Sequence, residues 1–165
     1  APSKKNEFTF RDAETALLVY PYFLELLERE TMRARRYRHP FTLLLLTFDG
    51  IRDQAGKRGL PSFLQEWAKL ILGRIRTSDI AAREKDQIFI LLPETSERES
   101  QKVSQALKKQ MVFLSNSKRY AESYGEGRLN SVSYPRDGDT GAALIAALEA
   151  GLRGYLSHEG TSPSS

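Results

Sequence analysis

The sequence predicts an α/β (α+β) fold in which helices flank one central, mostly buried sheet within a single domain. Two apolar runs of strand length, 41–48 (FTLLLLTF) and 87–92 (QIFILL), alternate with longer segments whose apolar residues recur at helical spacing. A chain of 165 residues has room for one such core rather than two. The polar residues 1–10 and the Gly/Ser/Pro/Thr-rich residues 158–165 are predicted to be tails around a domain at 11–157.

The first half of the domain is predicted as helix, strand and helix. Apolar residues from Phe23 to Tyr37 fall on one helical face, which predicts a helix over 21–38 that Pro40 terminates. The run 41–48 lacks alternating polar residues, so the strand should be covered on both faces. Pro61 suits the first turn of a second helix. Its predicted core stripe is Leu64, Trp67, Ala68, Ile71 and Ile75.

The second half continues the alternation. The strand at 87–92 closes at Pro93, and Ser96 with Glu99 forms a capping box that opens a helix through about Met111. Residues 115–127 show little periodicity and are predicted to be an exposed loop. A strand over 129–134 and a helix over 140–155 follow. The apolar face predicted for this last helix is Leu144, Leu148, Leu152 and Tyr155.

Composition excludes several classes of site. Without cysteine the chain can form no disulfide, thiolate metal site or cysteine nucleophile, and its two histidines leave little material for a histidine-based centre. The longest apolar run is too short to cross a bilayer and no signal-peptide pattern opens the chain, so we expect no membrane insertion. The net charge of +4 mildly favours anionic partners. The basic cluster at 33–39 is interpreted as a solvated helix face, so no nucleic-acid partner is predicted.

Three segments in this order resemble the GGDEF domains of diguanylate cyclases: FLELLERETMRARRYRHPFTLLLLTFDG, RIRTSDIAAREKDQIFILLPETS, and YPRDGDT with the Ala/Leu-rich helix after it. The resemblance covers residues 12–156. It implies a central sheet like that of the nucleotidyl cyclases. It also implies an ancestral activity in which two GTP molecules are condensed by metal-assisted phosphoryl transfer, with carboxylates holding the cations against the triphosphates.

At the metal-binding positions of that family this chain differs. The aspartate at the end of the first strand is replaced by Thr47, although Asp49 lies two residues further on. The signature hairpin (REKDQI, 83–88) is one residue shorter than the family's, and Lys85 stands in a turn that lacks both glycines. Its metal-binding carboxylate falls on the neutral Gln87, with Asp86 as a remnant of the preceding acid. The resemblance therefore implies a degenerate site with no metal and no cofactor.

The positions that contact GTP itself are also changed. The family's Asn-Asp pair after the first strand aligns with Ala55 and Gly56, and Pro61 falls where the guanine-binding aspartate belongs. The phosphate-contacting lysine of the last helix falls near Leu156. Together with the metal positions, these changes predict that the chain is not an enzyme.

One functional pattern of the family is intact. Arg76-Thr77-Ser78-Asp79 matches the Arg-x-x-Asp motif with which many members bind the product, cyclic di-GMP. An arginine can donate two hydrogen bonds to guanine O6 and N7, and a carboxylate can accept from N1 and N2. A second cationic contact would come from Lys102, Lys108 or Lys109. A structural alternative is that Arg76 ends the preceding helix, where the helix dipole favours it, and that Ser-Asp forms the turn.

Two functional hypotheses follow from the resemblance. In the first the chain is a cyclic di-GMP receptor that regulates a protein partner. The alternative is a ligand-independent protein-interaction or dimerisation module, and residual GTP binding without turnover is a weaker third. The chain begins at Ala1 without an initiator methionine, so we expect it to be a piece of a longer protein. The resemblance implies the soluble, cytoplasmic end of a larger bacterial sensor. A further resemblance to the family, Asp12 with Thr15, is interpreted as a structural hydrogen bond.

Overall fold

The computed structural model describes residues 10–117, 119 and 124–160 of the chain, with side chains as far as Arg153. A 3-10 turn at Arg52–Gln54 precedes the second helix. The helices and strands, in chain order, are β1 (Leu18–Val19), α1 (Tyr20–Tyr37), β2 (Phe41–Phe48), α2 (Leu60–Leu72), β3 (Ile80–Glu84), β4 (Gln87–Leu92), α3 (Glu97–Ser115), β5 (Gly127–Tyr134) and α4 (Gly141–Gly160).

The strands form one mixed sheet in the order β1-β3-β4-β2-β5. β1 pairs with β3 in parallel, whereas the other neighbours are antiparallel. From β2 to β5 the chain follows a βαββαβ path of the ferredoxin-like type. All eight residues of β2 are buried, because strands flank it on both sides and helices cover both faces. The predicted doubly covered strand and the central sheet flanked by helices are confirmed.

Helices cover each face of the sheet and enclose two apolar clusters. Leu44 and Leu46 pack with α2 and α3, whereas Leu43 and Leu45 point to the opposite face and pack with α1 and α4. This alternation follows from the two-residue period of a strand. Of the stripe predicted for the second helix, four members are buried on α2, and Ile75 packs against the same cluster from beyond the helix end.

The prediction of an exposed loop over 115–127 is wrong in two respects. Both ends of the range belong to regular elements, and one residue within it is buried. Helix α3 extends to Ser115 because Met111 and Leu114 continue its buried stripe, and β5 already begins at Gly127. Tyr124 is buried, and its ring stacks on Phe63 with 3.7 Å between centroids. Part of this segment (118 and 120–123) lies outside the described residues, as do residues 1–9 and 161–165 of the predicted tails. Helix α4 is described three residues into the predicted C-terminal tail.

Candidate functional site

The positions that align with the family's metal ligands meet where β2 ends beside the β3–β4 hairpin. Glu84 pairs with Gln87 across a two-residue turn. Lys85 in that turn has a φ of +56°, a left-handed conformation that glycine adopts at no steric cost. The Thr47 hydroxyl donates a hydrogen bond of 3.0 Å to the Asp86 carbonyl oxygen. The residue in place of the family's aspartate therefore ties the tip of the hairpin to the end of β2.

Asp49 lies against an arginine of β5. Its carboxylate accepts from Arg128 Nη2 at 2.7 Å and from Nε at 2.9 and 3.1 Å, which is a bidentate, charge-assisted contact. The Arg128 side chain is only 5% exposed, and Glu126 lies 3.7 Å from the same guanidinium. Asp49 is therefore neutralised by a fixed positive charge.

The second acid near the hairpin, Asp86, also faces an arginine. Arg52 Nε donates to its carboxylate at 3.3 Å from a side chain that is 83% exposed. Within the described part of the chain, no three His, Cys, Asp or Glu side chains come together as a metal-binding group. A pair of divalent cations requires several oxygen ligands of net negative charge. The hydroxyl of Thr47, the amide of Gln87 and two arginine-paired acids do not fit such a group.

The positions aligned with guanine recognition offer little hydrogen-bonding capacity. Ala55 is an exposed methyl at the end of the 3-10 turn, and Gly56 follows it with a φ of +80°. Pro61 lies in the first turn of α2, as predicted, where its missing N–H costs nothing. Neither Ala55 nor Pro61 presents a side-chain donor or acceptor to a base.

Arg76 and Asp79 lie together beyond the end of α2. The carboxylate of Asp79 accepts from the Arg76 backbone N–H at 2.7 Å and from guanidinium Nη2 at 3.0 Å. Arg76 Nη2 also donates to the Pro93 carbonyl at 3.0 Å and to the Thr95 hydroxyl at 2.8 Å. Helix α2 ends at Leu72, so the alternative that Arg76 occupies its last turn is wrong. The Asp79 hydrogen bond raises the pKa of Arg76 above its ordinary value.

The Arg76 side chain borders a cavity of about 320 Å³ between the end of β4 and helix α3. The Arg76 side chain is 58% exposed, whereas that of Asp79 is 3% exposed. Lys102 lines this cavity. Lys109, seven residues later, projects from the same side of α3 about 10 Å along it. Lys108 instead borders two other cavities beside β5.

The family model for the diguanylate cyclase GGDEF domain matches residues 9–155. This chain belongs to the GGDEF family. Its nucleotidyl-cyclase-like fold recurs in solved GGDEF domains. That of TpbB (or YfiN) from Pseudomonas aeruginosa is 25% identical, with a TM-score of 0.74 and 84% of each chain covered. The FimX GGDEF domain from the same organism is 18% identical, with a TM-score of 0.75, covering 86% of this chain and 90% of its own.

A third solved relative is the coiled coil and GGDEF domain of DgcB from Caulobacter crescentus in complex with c-di-GMP. It is 19% identical, with a TM-score of 0.72, and the match covers 92% of this chain and 84% of that one. No protein of curated function matches the sequence. Among the described helices of this GGDEF domain, none combines the length and apolar character needed to cross a bilayer.

The N-terminal segment of this GGDEF domain is held by a small polar cluster. Asp12 Oδ2 accepts from the Thr15 hydroxyl at 2.7 Å and from its backbone N–H at 2.8 Å. Arg83 of β3 donates to the same oxygen at 3.1 Å and to Glu14 at 2.6 Å. Burial acts to raise the pKa of Asp12, but the Thr15 hydrogen bonds and the Arg83 charge outweigh it and lower this pKa. The predicted structural hydrogen bond is present.

Sequence reasoning missed the arginines that neutralise the remaining acids. Arg128 is 79 positions from Asp49 and Arg52 is 34 from Asp86, so no local spacing joins either pair. Arg128 nevertheless stands directly before the strand predicted at 129–134. A charged residue that the fold buries is a signal that an opposite charge lies beside it.

Proposed function

We propose that this chain is a GGDEF domain without cyclase activity that binds cyclic di-GMP at Arg76 and Asp79 and serves as a regulatory module. The observation that carries the proposal is the contrast between the two ends of β4. At its start, the acids are bonded to arginines. Beyond its end, Arg76 is exposed and held in one orientation at the mouth of a cavity.

The bonds around Arg76 favour recognition of a planar base edge. Because Asp79, Pro93 and Thr95 already hold the guanidinium, less side-chain entropy is lost when a ligand binds. Nε and Nη2 of Arg76 already donate to Asp79, Pro93 and Thr95, so among the described contacts Nη1 is the nitrogen left to donate to guanine O6 or N7. The two-point pairing, which contributes roughly 1–3 kcal/mol of discrimination, forms when Nη2 exchanges one of those bonds for the base. The buried Asp79 carboxylate serves mainly to position Arg76, and a guanine reaches it only when the pair opens.

The charges around the cavity are compatible with a ligand that carries two phosphodiester groups. Lys102 and Arg74 line it together with Arg76. Three acids also line the cavity, but each is already engaged. Asp79 is bonded to Arg76. Glu94 lies 3.3 Å from Arg33 Nη2, and Glu99 accepts from the Ser96 backbone N–H at 2.8 Å. Lys109 could reach a ligand that extends along α3, whereas Lys108 would require a ligand spanning to β5.

Two structural relatives are described with this ligand bound: the Caulobacter crescentus DgcB domain and Vibrio cholerae LapD. Both are below 25% identity to this chain. The DgcB structure, of which the match covers 84%, supports a fold that accommodates cyclic di-GMP, whereas only 33% of the LapD chain is matched. The Arg-x-x-Asp residues of this chain would supply the chemistry.

Isothermal titration with cyclic di-GMP tests the proposal. The parent domain should bind, and Arg76→Ala should weaken binding by at least tenfold because one bidentate base contact is lost. Arg58→Ala, at an exposed position just before α2 begins, removes the same charge at the opposite end of that helix from Arg76 and should leave the affinity unchanged. Absence of heat from the parent domain would exclude this function.

A second candidate, a ligand-independent interaction or dimerisation module, is favoured by two adjacent apolar side chains on α3. Val112 is 58% exposed and Phe113 is 65% exposed, which is unusual for neighbouring large apolar residues unless a partner covers them. Light scattering distinguishes this function. A dimer that persists in Arg76→Ala and dissociates in Phe113→Ser, together with a flat cyclic di-GMP titration, would favour it over the receptor.

A further inference from the structure

β5 is the edge strand of the sheet, and one of its sides faces no other strand within the described residues. The Ser133 N–H donates to Asp137 Oδ2 at 2.8 Å, and its carbonyl accepts from the Asp137 N–H at 2.9 Å. Both groups therefore point away from β2. Because the direction alternates along an antiparallel ladder, the N–H and C=O of Gly127, Leu129 and Ser131 also point outward.

Those outward groups line a groove between two helices. One cavity of about 270 Å³ is bordered by Met111 and Val112 of α3 and by Gly151 and Leu152 of α4. Since α3 and α4 cover opposite faces of the sheet, a cavity that touches both lies over the open side of β5. A second cavity of about 220 Å³ continues along α3, and the two share Lys108, Leu129 and Asn130.

We propose that this edge groove binds an extended acidic peptide segment, which adds a strand antiparallel or parallel to β5. Backbone groups of an open edge pair with any extended chain, and pockets beside the edge select its side chains. Asp137 closes the edge at Ser133, so the added strand pairs over residues 127–131, a length of about 17 Å. Nothing among the described residues bonds to the outward N–H or C=O groups of Leu129 and Ser131.

The shape of the groove favours a single peptide over a second copy of this chain. The edge lies recessed between α3 and α4 rather than projecting beyond them. Two strands of a sheet lie roughly 4.8 Å apart. In a symmetric dimer, the helices that flank each β5 would collide with those of the other copy before the two β5 strands reached that spacing. An extended segment without flanking helices enters freely.

The charge of the groove selects an acidic side chain. Lys108 borders both cavities, and it makes no ion pair with any described residue. The acids at the two ends are engaged: Glu97 with Arg136, and Glu126 beside Arg128. The rest of the second cavity is lined by neutral polar groups such as Ser104 and Gln105. Among the described residues of the groove, Lys108 is therefore the charged side chain without an opposite charge beside it. A carboxylate on the bound peptide would supply that charge.

Selection from a phage-displayed library of random 12-residue peptides tests the proposal, followed by fluorescence titration of the enriched peptides. We expect enriched peptides to carry an acidic residue. Ser131→Pro should weaken their binding at least tenfold, because proline removes an outward N–H, whereas Ser131→Ala retains it and should bind as the parent. Proline is tolerated on an edge strand when its nitrogen faces away from the ladder, and circular dichroism checks that the variant is folded.

Lys108→Glu keeps the backbone intact and tests the charge independently of strand stability. Lys108→Glu should also weaken the binding of the enriched peptides at least tenfold. Lys109→Glu is the matched control and should leave that binding unchanged. Failure to enrich any peptide, or enriched peptides whose affinity is the same for the parent, Ser131→Pro and Lys108→Glu, would overturn the proposal. A dimer in light scattering that Ser131→Pro dissociates would assign the edge to a second copy and overturn it as well.

Discussion

Asp49 and Asp86 show how an acidic side chain can be compensated by an arginine to different degrees. Each carboxylate is bonded to an arginine. An incoming divalent cation would have to displace a guanidinium, and at Asp49 the displaced group is almost fully buried. The two pairs differ in exposure, so removal of the arginine should have unequal effects on stability.

The first prediction concerns Arg128. Arg128→Met should lower the free energy of unfolding by about 2 kcal/mol, because the partly buried Asp49 loses its partner. Arg52→Met removes an arginine from an exposed pair and should change it by about 0.5 kcal/mol or less. Urea unfolding followed by circular dichroism measures both. Equal effects would contradict the burial argument.

The second prediction concerns Asp12, whose pKa is lower in the folded than in the unfolded chain. Its contribution to stability should therefore be fully present above the unfolded value of about 3.9 and should disappear as the pH falls through the folded value. The difference in free energy of unfolding between the parent and Asp12→Asn should be positive at pH 7 and should shrink as the pH falls below the unfolded value. Asp53→Asn, at an exposed position, serves as the control. A difference in free energy of unfolding that grows as the pH falls would contradict a lowered pKa of Asp12 in the folded chain.

At the scale of elements, strands and helices with strong local patterns were predictable. The observed bounds of β2 and β4 match the prediction because continuous apolar runs end at polar or proline residues. β3 (IAARE) has two charged residues in five positions and was anticipated only as part of the family hairpin. Tyr124 could not be predicted, because its partner Phe63 belongs to a distant helix and no local period marks it as buried.

The capping box of α3 is the third prediction. Ser96 Oγ accepts from the Glu99 N–H at 3.1 Å while Glu99 accepts from the Ser96 N–H. Ser96→Ala should lower the midpoint of urea unfolding by the equivalent of about 1 kcal/mol. Ser115→Ala makes the same chemical change at the other end of the helix and should have a smaller effect. A larger effect of Ser115→Ala than of Ser96→Ala would indicate that the C-terminal end of α3 contributes more to stability than the capping box.

At the scale of the whole molecule, the two candidate sites lie at opposite ends of β4. The positions that align with the family's metal ligands are next to Gln87, whereas Arg76 bonds to Pro93 and Thr95 just after Leu92. Substitutions at one end of β4 can therefore leave the side-chain bonds at its other end in place. Sequence alone predicted which residue types stand at each end, but not that Asp79 would be bonded to Arg76, since side-chain pairing depends on the turn after α2.

The fourth prediction is that the purified domain forms no dinucleotide from GTP and Mg²⁺. The cation-binding carboxylates are missing or neutralised, so the charge that develops during phosphoryl transfer has no counter-charge. Anion-exchange chromatography after prolonged incubation, beside an active diguanylate cyclase as the control, measures the product. Synthesis that is abolished by Asp49→Asn or Asp86→Asn would show that the site still works.

The hydrogen bond from Thr47 to the Asp86 carbonyl restricts which side chain can stand at position 47. A carboxylate at position 47 has no proton to donate at neutral pH, so Thr47→Asp would set a negative charge against a carbonyl oxygen and loosen the hairpin. Under the proposed absence of cyclase activity, a cation site here would need the acid, a cation to stand between the two oxygens, and release of Asp49 from Arg128 at the same time. Thr47→Asp alone and Arg128→Met alone each break a bond of the present structure, so each single change is expected to lower stability.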